Sequence, residues 1–145
     1  MAGTNQDFAT RWFENVWNMR RREAIAEMLA PDVLIHEAGL TVRGPEGFYP
    51  FFDRMQSAFS QIHVTVEETI TQGDTICVRW SCAMKHTGDG LGMAPTGKAL
   101  KTTGITMIRV SGDQAIEAWQ NWDMLGLMQQ IQGNDMAATY IGAPA

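Results

Sequence analysis

Apolar residues recur at helical spacing in the N-terminal part of the chain and at every second position further on. Residues 6–18 are predicted to form an amphipathic helix, because their apolar members share one face: Phe8, Trp12, Phe13, Val16 and Trp17. A second, shorter helix is predicted over residues 22–29, and Pro31 ends it. A third is predicted over residues 44–60, which begin with Gly-Pro, and the strand DVLIHEAG lies between the second and third helices.

Alternation of apolar and polar residues beyond position 60 predicts four more strands, over residues 62–70, 75–87, 98–110 and 115–123. Three helices and one strand followed by four antiparallel strands indicate an α+β fold, in which the helices cover one face of a curved, mixed sheet of five to six strands. A chain of 145 residues is expected to form a single domain over residues 1–145, with a core over 6–132 and a C-terminal extension over 133–145. Such a sheet, closed by helices, encloses a cone-shaped pocket.

Strand parity predicts which side chains face that pocket. In the strand 75–87, one face carries mainly apolar residues and is expected to point inward: Ile76, Val78, Trp80, Cys82, Met84 and His86. Trp80 is therefore predicted in the pocket wall. Gly104 is predicted on the inner face of the next strand, where the missing side chain would leave room for a ligand. In the last strand neither side is purely polar, so parity alone leaves its inward face undecided.

Two groups in this pattern could carry chemistry. Asp123 ends the last strand beside Trp122, where a pocket that raised its pKa would make it a general base, and it also precedes MLGLMQQI as a favoured helix N-cap. His86 could orient a neighbouring carboxylate or exchange a proton with it, or it could be a structural histidine. The loop 87–98, which includes Met93, is predicted as a flap over the pocket or as a plain hairpin loop.

Composition narrows the possible partners. The chain has 11 basic and 16 acidic residues and a net charge of −5, so nucleic acid and anionic membranes are not expected as partners. No leader or membrane-spanning segment is recognised, which predicts a soluble, cytoplasmic protein. The two cysteines, Cys77 and Cys82, point to opposite faces of one strand and cannot pair. No closely spaced Cys or His ligands occur, so no metal is predicted.

Three stretches together are similar to one known family: RWFENVWNMRRREAIAEMLAPDVLIHEAG, GPEGF, and HTGDGLGMAPTGKALKTTGITMIRV followed by EAWQNWDMLGLMQQI. They resemble the SnoaL-like polyketide cyclase or ester cyclase family, from about Phe8 to Ile131. The resemblance implies the nuclear transport factor 2-like fold, a cone-shaped barrel that is usually a homodimer through the outer face of its sheet.

The resemblance also implies a function: cofactor-free ring closure of a hydrophobic carbonyl substrate by intramolecular aldol condensation, a lyase- or isomerase-type acid/base reaction. It assigns the general acid/base to Asp123, turned into the pocket, with His86 beside it. The expected substrate-binding residues are His36, Trp80, Met84, Met93, Gly104, Trp119 and Asn121. Other acid/base enzymes of this fold, such as dehydratases, isomerases and epoxide hydrolases, stay open as alternatives, as does a non-catalytic binding module.

Overall fold

The structure is a computed structural model, and it describes residues 5–133 and 141–142. Helix α1 (Asn5–Trp12) continues as a π-helical segment (Phe13–Asn18), and α2 (Glu23–Met28) follows. Helix α3 (Gly44–Ala58) packs on β1, and α4 (Met124–Gln132) follows the last strand. The three predicted N-terminal helices are thus present with nearly the predicted bounds. Most of the predicted extension 133–145 lies outside the described residues.

In the part of the chain that the structure describes, six strands form one sheet: β1 (Leu29–Glu37), β2 (Leu40–Arg43), β3 (Phe59–Gln72), β4 (Thr75–His86), β5 (Ala99–Ser111) and β6 (Gln114–Trp122). Their order is β2-β1-β6-β5-β4-β3, and every neighbouring pair is antiparallel except β1 and β6. The predicted mixed α+β sheet is confirmed. Strand β2 was not predicted. It has only four residues, none of them buried, so its sequence shows no hydrophobic pattern.

The helices pack on the inner face of the sheet. Burial alternates without interruption along β5, which buries the face that carries Leu100, Thr102 and Gly104. The π-helical segment is fixed to β3 by Asn18, whose side-chain amide donates to the carbonyl of Val64 (2.9 Å) and accepts from its N–H (2.7 Å). This pairing ties the end of the π-helical segment to β3, an edge strand of the sheet.

Within residues 5–133 and 141–142, none of the helices has the length and apolar character needed to cross a bilayer.

Candidate active site

Two adjacent pockets lie between α3 and the inner face of the sheet, and we call them the inner and outer compartments of one cavity. The inner compartment, about 50 Å³, has walls formed mostly by apolar side chains: Phe13, Trp17, Phe51, Met55, Phe59, Ile62, Val64, Trp80, Cys82, Met84, Thr102, Gln120 and Trp122. The outer compartment, about 330 Å³, shares Phe51, Met55 and Trp122 with the inner one, and it opens at the exposed side chains of Leu40 and Met124. The outer volume falls within the range of small-molecule sites, roughly 300–1,000 Å³.

Among the described residues, one carboxylate lines the outer compartment, that of Glu37 at the end of β1. The indole Nε1–H of Trp122 donates to its Oε1 (2.6 Å), and the amide Nε2–H of Gln120 lies 3.4 Å from its Oε2. The parallel pairing of β1 with β6 sets Glu37 in register with Gln120, which is why the amide reaches the carboxylate. Two donors therefore fix the orientation of Glu37.

These contacts continue into a directional chain of hydrogen bonds along the inner face. The indole Nε1–H of Trp80 donates to Oγ1 of Thr106 (3.0 Å), and this hydroxyl donates to Oε1 of Gln120 (3.3 Å). The amide of Gln120 then donates to Glu37. In this series of hydrogen bonds every donor thus points towards the Glu37 carboxylate. The side chains of Trp80, Thr106 and Gln120 each donate a hydrogen bond in a single, consistent direction.

The cavity also contains a thiol, that of Cys82 in the wall of the inner compartment. Burial raises its pKa from 9.0 to about 11, although a backbone hydrogen bond at His63 acts in the opposite direction. At neutral pH the thiol is therefore protonated, and a protonated thiol is a poor nucleophile. Covalent chemistry at Cys82 is not supported.

We expect a thiol reagent such as DTNB to modify the partly exposed Cys77 but not Cys82 in the folded protein at about pH 8. In urea both should react, which provides the control. Because folding raises the pKa of Cys82, its thiol favours the folded state fully below about pH 9, and this contribution is lost as pH rises towards about 11. Equal modification rates of the two cysteines at pH 8 would contradict this account.

The structure places Trp80 and Met84 in the wall of the inner compartment. Met93 packs against the core, but its neighbour Leu91 is the residue of the loop 87–98 that lines the cavity. Gly104 does not leave room for a ligand, because a Cβ atom there would lie 2.3 Å from Cζ2 of Trp80. The space that the sequence assigned to a ligand is filled by the Trp80 indole.

Asp123 does not face the cavity. Its side chain is exposed and caps α4, where Oδ1 accepts the backbone N–H of Gly126 (2.9 Å), and it lines a groove on the outer face with Arg79 and Ile105. The expected inward orientation is wrong because β6 turns Gln120 and Trp122 inward, which sends the alternate residues outward. The capping alternative describes the observed position of Asp123.

His36 and Trp119 also lie on the outer face, and so does the exposed Asn121. The His36 ring stacks on Trp119 with 5.4 Å between centroids, and its Nε2 is 2.8 Å from Oε2 of Glu117. Arg109 approaches both Glu117 and the Trp119 ring. The predicted pocket-lining position of these residues is therefore wrong, for the same reason of parity.

His86 is fully buried beside Phe59 but is absent from the walls of both compartments. Its Nδ1 accepts the backbone N–H of Thr96 (3.3 Å) and is 3.1 Å from that residue's Oγ1. An Nδ1 that accepts places the proton on Nε2, which has no hydrogen-bond partner among the described residues. The histidine thus joins the end of β4 to the far end of the loop 87–98.

The predictions missed Glu37, Gln120, Trp122 and Arg54, all of which line the cavity. The alternation of side chains along β1 could have indicated Glu37. It lies two residues after Ile35 and four after Val33, so it shares the inner face of the strand with these buried residues. Among the residues that the structure describes, no group of three His, Cys, Asp or Glu side chains is arranged to hold a metal ion.

Helix capping by Asp123 can be measured. Asp123→Ala should lower the free energy of unfolding by about 1 kcal/mol, because the N–H of Gly126 loses its acceptor. Asp123→Asn should change it little, since asparagine caps almost as well. Urea denaturation of both variants tests this, and equal losses in the two would contradict the capping role.

The family model for the SnoaL-like polyketide cyclase matches residues 8–131. The chain belongs to the SnoaL-like polyketide cyclase family. Its structure is similar to that of IdmH, a candidate polyketide cyclase from Streptomyces antibioticus, at 25% identity and a TM-score of 0.79, with 90% of this chain and 99% of IdmH covered. No curated protein matches the sequence.

More distant structures of this family's fold share the architecture alone. AclR, a candidate hydroxylase from Streptomyces galilaeus, is 17% identical with a TM-score of 0.81. The superposition covers 90% of this chain and 97% of the AclR chain. A protein from Catenulispora acidiphila with a ketosteroid isomerase-like fold is also 17% identical, with a TM-score of 0.73, and covers 88% and 93%. The SnoaL-like chain therefore has the ketosteroid isomerase and nuclear transport factor 2-like fold.

Proposed function

We propose that this protein closes a ring in a hydrophobic carbonyl substrate by cofactor-free acid/base catalysis of the aldol type. One observation carries the proposal: the Glu37 carboxylate lies in the wall of a mainly apolar cavity and is held there by the indole N–H of Trp122 at 2.6 Å. Family membership supports the reaction class. In this proposal Glu37 takes the role that the family resemblance assigned to Asp123.

In the proposed reaction, Glu37 removes a proton from a carbon that lies between two carbonyl groups. The resulting carbanion attacks a second carbonyl carbon of the same molecule, which forms the new C–C bond, and the alkoxide produced takes the proton back from Glu37. Trp122 and Gln120 occupy two acceptor positions of the carboxylate, and the oxygens keep further lone pairs for the substrate proton. General acid/base catalysis of this kind contributes roughly 10²–10⁴-fold to a rate.

The walls of the cavity add the second contribution. Aromatic side chains of Phe51 and Trp122 border both compartments, so a flat substrate that enters the outer one contacts apolar surfaces on two sides. Holding the two reacting carbons close together converts conformational entropy into rate, and the exclusion of water protects the enolate.

His86 receives a positioning role in this proposal. Its contacts with Thr96 hold the far end of the loop 87–98, and Leu91 of that loop lines the outer compartment. The near end of the loop packs closely on α3 through Gly88 and Gly90. A Cβ atom added at Gly88 would lie 1.8 Å from the carbonyl oxygen of Ser57, and one added at Gly90 would lie 2.6 Å from that of Arg54. The loop is therefore fixed at both ends over the cavity mouth.

Hydrogen–deuterium exchange tests the proposed proton abstraction without knowledge of the natural substrate. The ketone 2-tetralone, which is neutral at pH 7 and exchanges slowly by itself, is followed by NMR in D₂O. The protein should accelerate loss of the signal from its C1 protons, which lie between the aromatic ring and the carbonyl group. Heat-denatured protein serves as the blank. Binding of 2-tetralone without accelerated exchange would favour the non-catalytic module. Dehydratase or isomerase activity shares this first step and would be separated by the products formed from its own substrates.

A homodimer through the outer sheet face belongs to the same proposal, together with the cytoplasmic location. Ile105 and Met107 expose 51% and 41% of their surface on this face, and Trp119 lies beside them. Light scattering should give a dimer mass, and Ile105→Lys should shift it to that of a monomer. A monomeric wild-type protein would contradict the proposed homodimer.

A further inference from the structure

We propose that Arg54 binds a carboxylate of the substrate, so that the natural substrate is an acidic aromatic or polyketide carbonyl compound. This inference rests on the proposed function, because it places the substrate in the same cavity. Arg54 is exposed at the outer compartment, and it and Glu37 are the charged residues among those described in the cavity walls.

The position of Arg54 on α3 is unusual for a charged residue. The cavity-lining residues of this helix are Gly47, Phe48, Phe51, Arg54 and Met55, and this spacing is that of the apolar stripe of an amphipathic helix. Arg54 thus places a cation in a stripe whose other members are apolar. The exposed guanidinium therefore lies at the rim of an apolar compartment, where an entering ligand can meet it.

The guanidinium of Arg54 makes no hydrogen bond or ion pair with the described residues. Asp53, its sequence neighbour, is paired bidentately with Arg22 at 3.0 Å through both carboxylate oxygens. Glu37 lines the same compartment but does not form a salt bridge with Arg54. The donors of Arg54 are therefore available, and a planar guanidinium matches a carboxylate through two parallel hydrogen bonds.

Glu37 and Arg54 together would orient such a substrate. An anionic group is attracted to Arg54 and repelled by the Glu37 carboxylate, so it stays near the mouth. The apolar body then extends past Phe51 towards the inner compartment, where the walls are apolar. This arrangement brings the neutral, reacting part of the molecule to Glu37.

Matched ligands test the inference. The dissociation constants of 2-naphthoate and of the neutral isostere 2-naphthamide are measured by isothermal titration calorimetry at low salt. The wild-type protein should bind the acid more tightly, and Arg54→Gln should weaken binding of the acid by roughly tenfold or more while leaving the amide unchanged. Arg54→Lys, which keeps the charge without the planar fork, should give an intermediate loss.

Arg43→Gln is the control, because Arg43 is exposed, carries the same charge and is absent from the cavity walls. Circular dichroism and urea denaturation establish that each variant is folded. Equal affinity of the wild-type protein for the two ligands, no binding of either, or an equal loss in Arg43→Gln would overturn the inference. The exchange assay with 2-tetralone decides the proposed function separately, since that neutral compound has no anionic group for Arg54.

Discussion

Glu37→Gln should leave the fold intact and reduce the catalysed exchange and ring closure by roughly 10²–10⁴-fold, the usual contribution of a general base. Glutamine has nearly the same shape and can still accept the hydrogen bond from Trp122, but it cannot take up a proton from carbon. The rate of exchange of 2-tetralone in D₂O, measured at saturating substrate, gives this effect directly.

Asp123→Asn is the matched control, since it makes the same carboxylate-to-amide change at the outer-face residue that the sequence favoured. We expect it to keep the wild-type exchange rate, because Asp123 caps α4 and does not line the cavity. The opposite pattern, with Asp123→Asn inactive and Glu37→Gln active, would contradict the assignment of the base to Glu37. Urea denaturation of both variants excludes unfolding as the cause of a lost rate.

Gly104→Ala should be the most damaging small substitution in the sheet, with a loss of about 1–3 kcal/mol in the free energy of unfolding. The new Cβ would lie 2.3 Å from Cζ2 of Trp80 and 2.9 Å from Cβ of Trp122, so the Trp80 indole must move. That movement would also break its hydrogen bond to Thr106 and disturb the chain that ends at Glu37. Urea denaturation measures the stability, and the exchange assay measures the second effect.

A double-mutant cycle separates the clash from other effects of the added methyl group. Trp80→Phe replaces the indole by a smaller ring that has no Cζ2 atom, so the alanine at position 104 gains space. The cost of Gly104→Ala should therefore be smaller in the Trp80→Phe background than in the wild type, which is a favourable coupling between neighbouring sites. Additive losses would show that Trp80 is not the cause.

The helices and most strands were predictable from the sequence, because apolar residues recur in them with the period of a helix or of a strand. The helical spacing around Trp12 and the alternation along β4 each bury one face, and the structure buries the same faces. Strand β2 lacks such a pattern, because it pairs at the edge of the sheet with its side chains largely outside the core.

The site was harder to predict, because it depends on register across distant strands. Both faces of β6 contain Trp, so hydrophobicity could not decide between Gln120 and Asp123 as the inward group. The parallel pairing that aligns Glu37 with Gln120 decides it, and no local pattern encodes that pairing. Gly104 shows a similar limit, since only the tertiary structure reveals that the space above it is occupied by Trp80.

The parallel pairing of β1 and β6 also has a consequence for folding. The contacts of Glu37 with Gln120 and Trp122 span 83 and 85 residues of sequence, so they are among the non-local contacts that form at a high cost in loop entropy. An N-terminal portion of the chain that ends before β6 has the carboxylate but neither of its donors. Completion of the sheet and organisation of the proposed acid/base group therefore depend on the same long-range pairing, and a chain without β6 lacks both donors to Glu37.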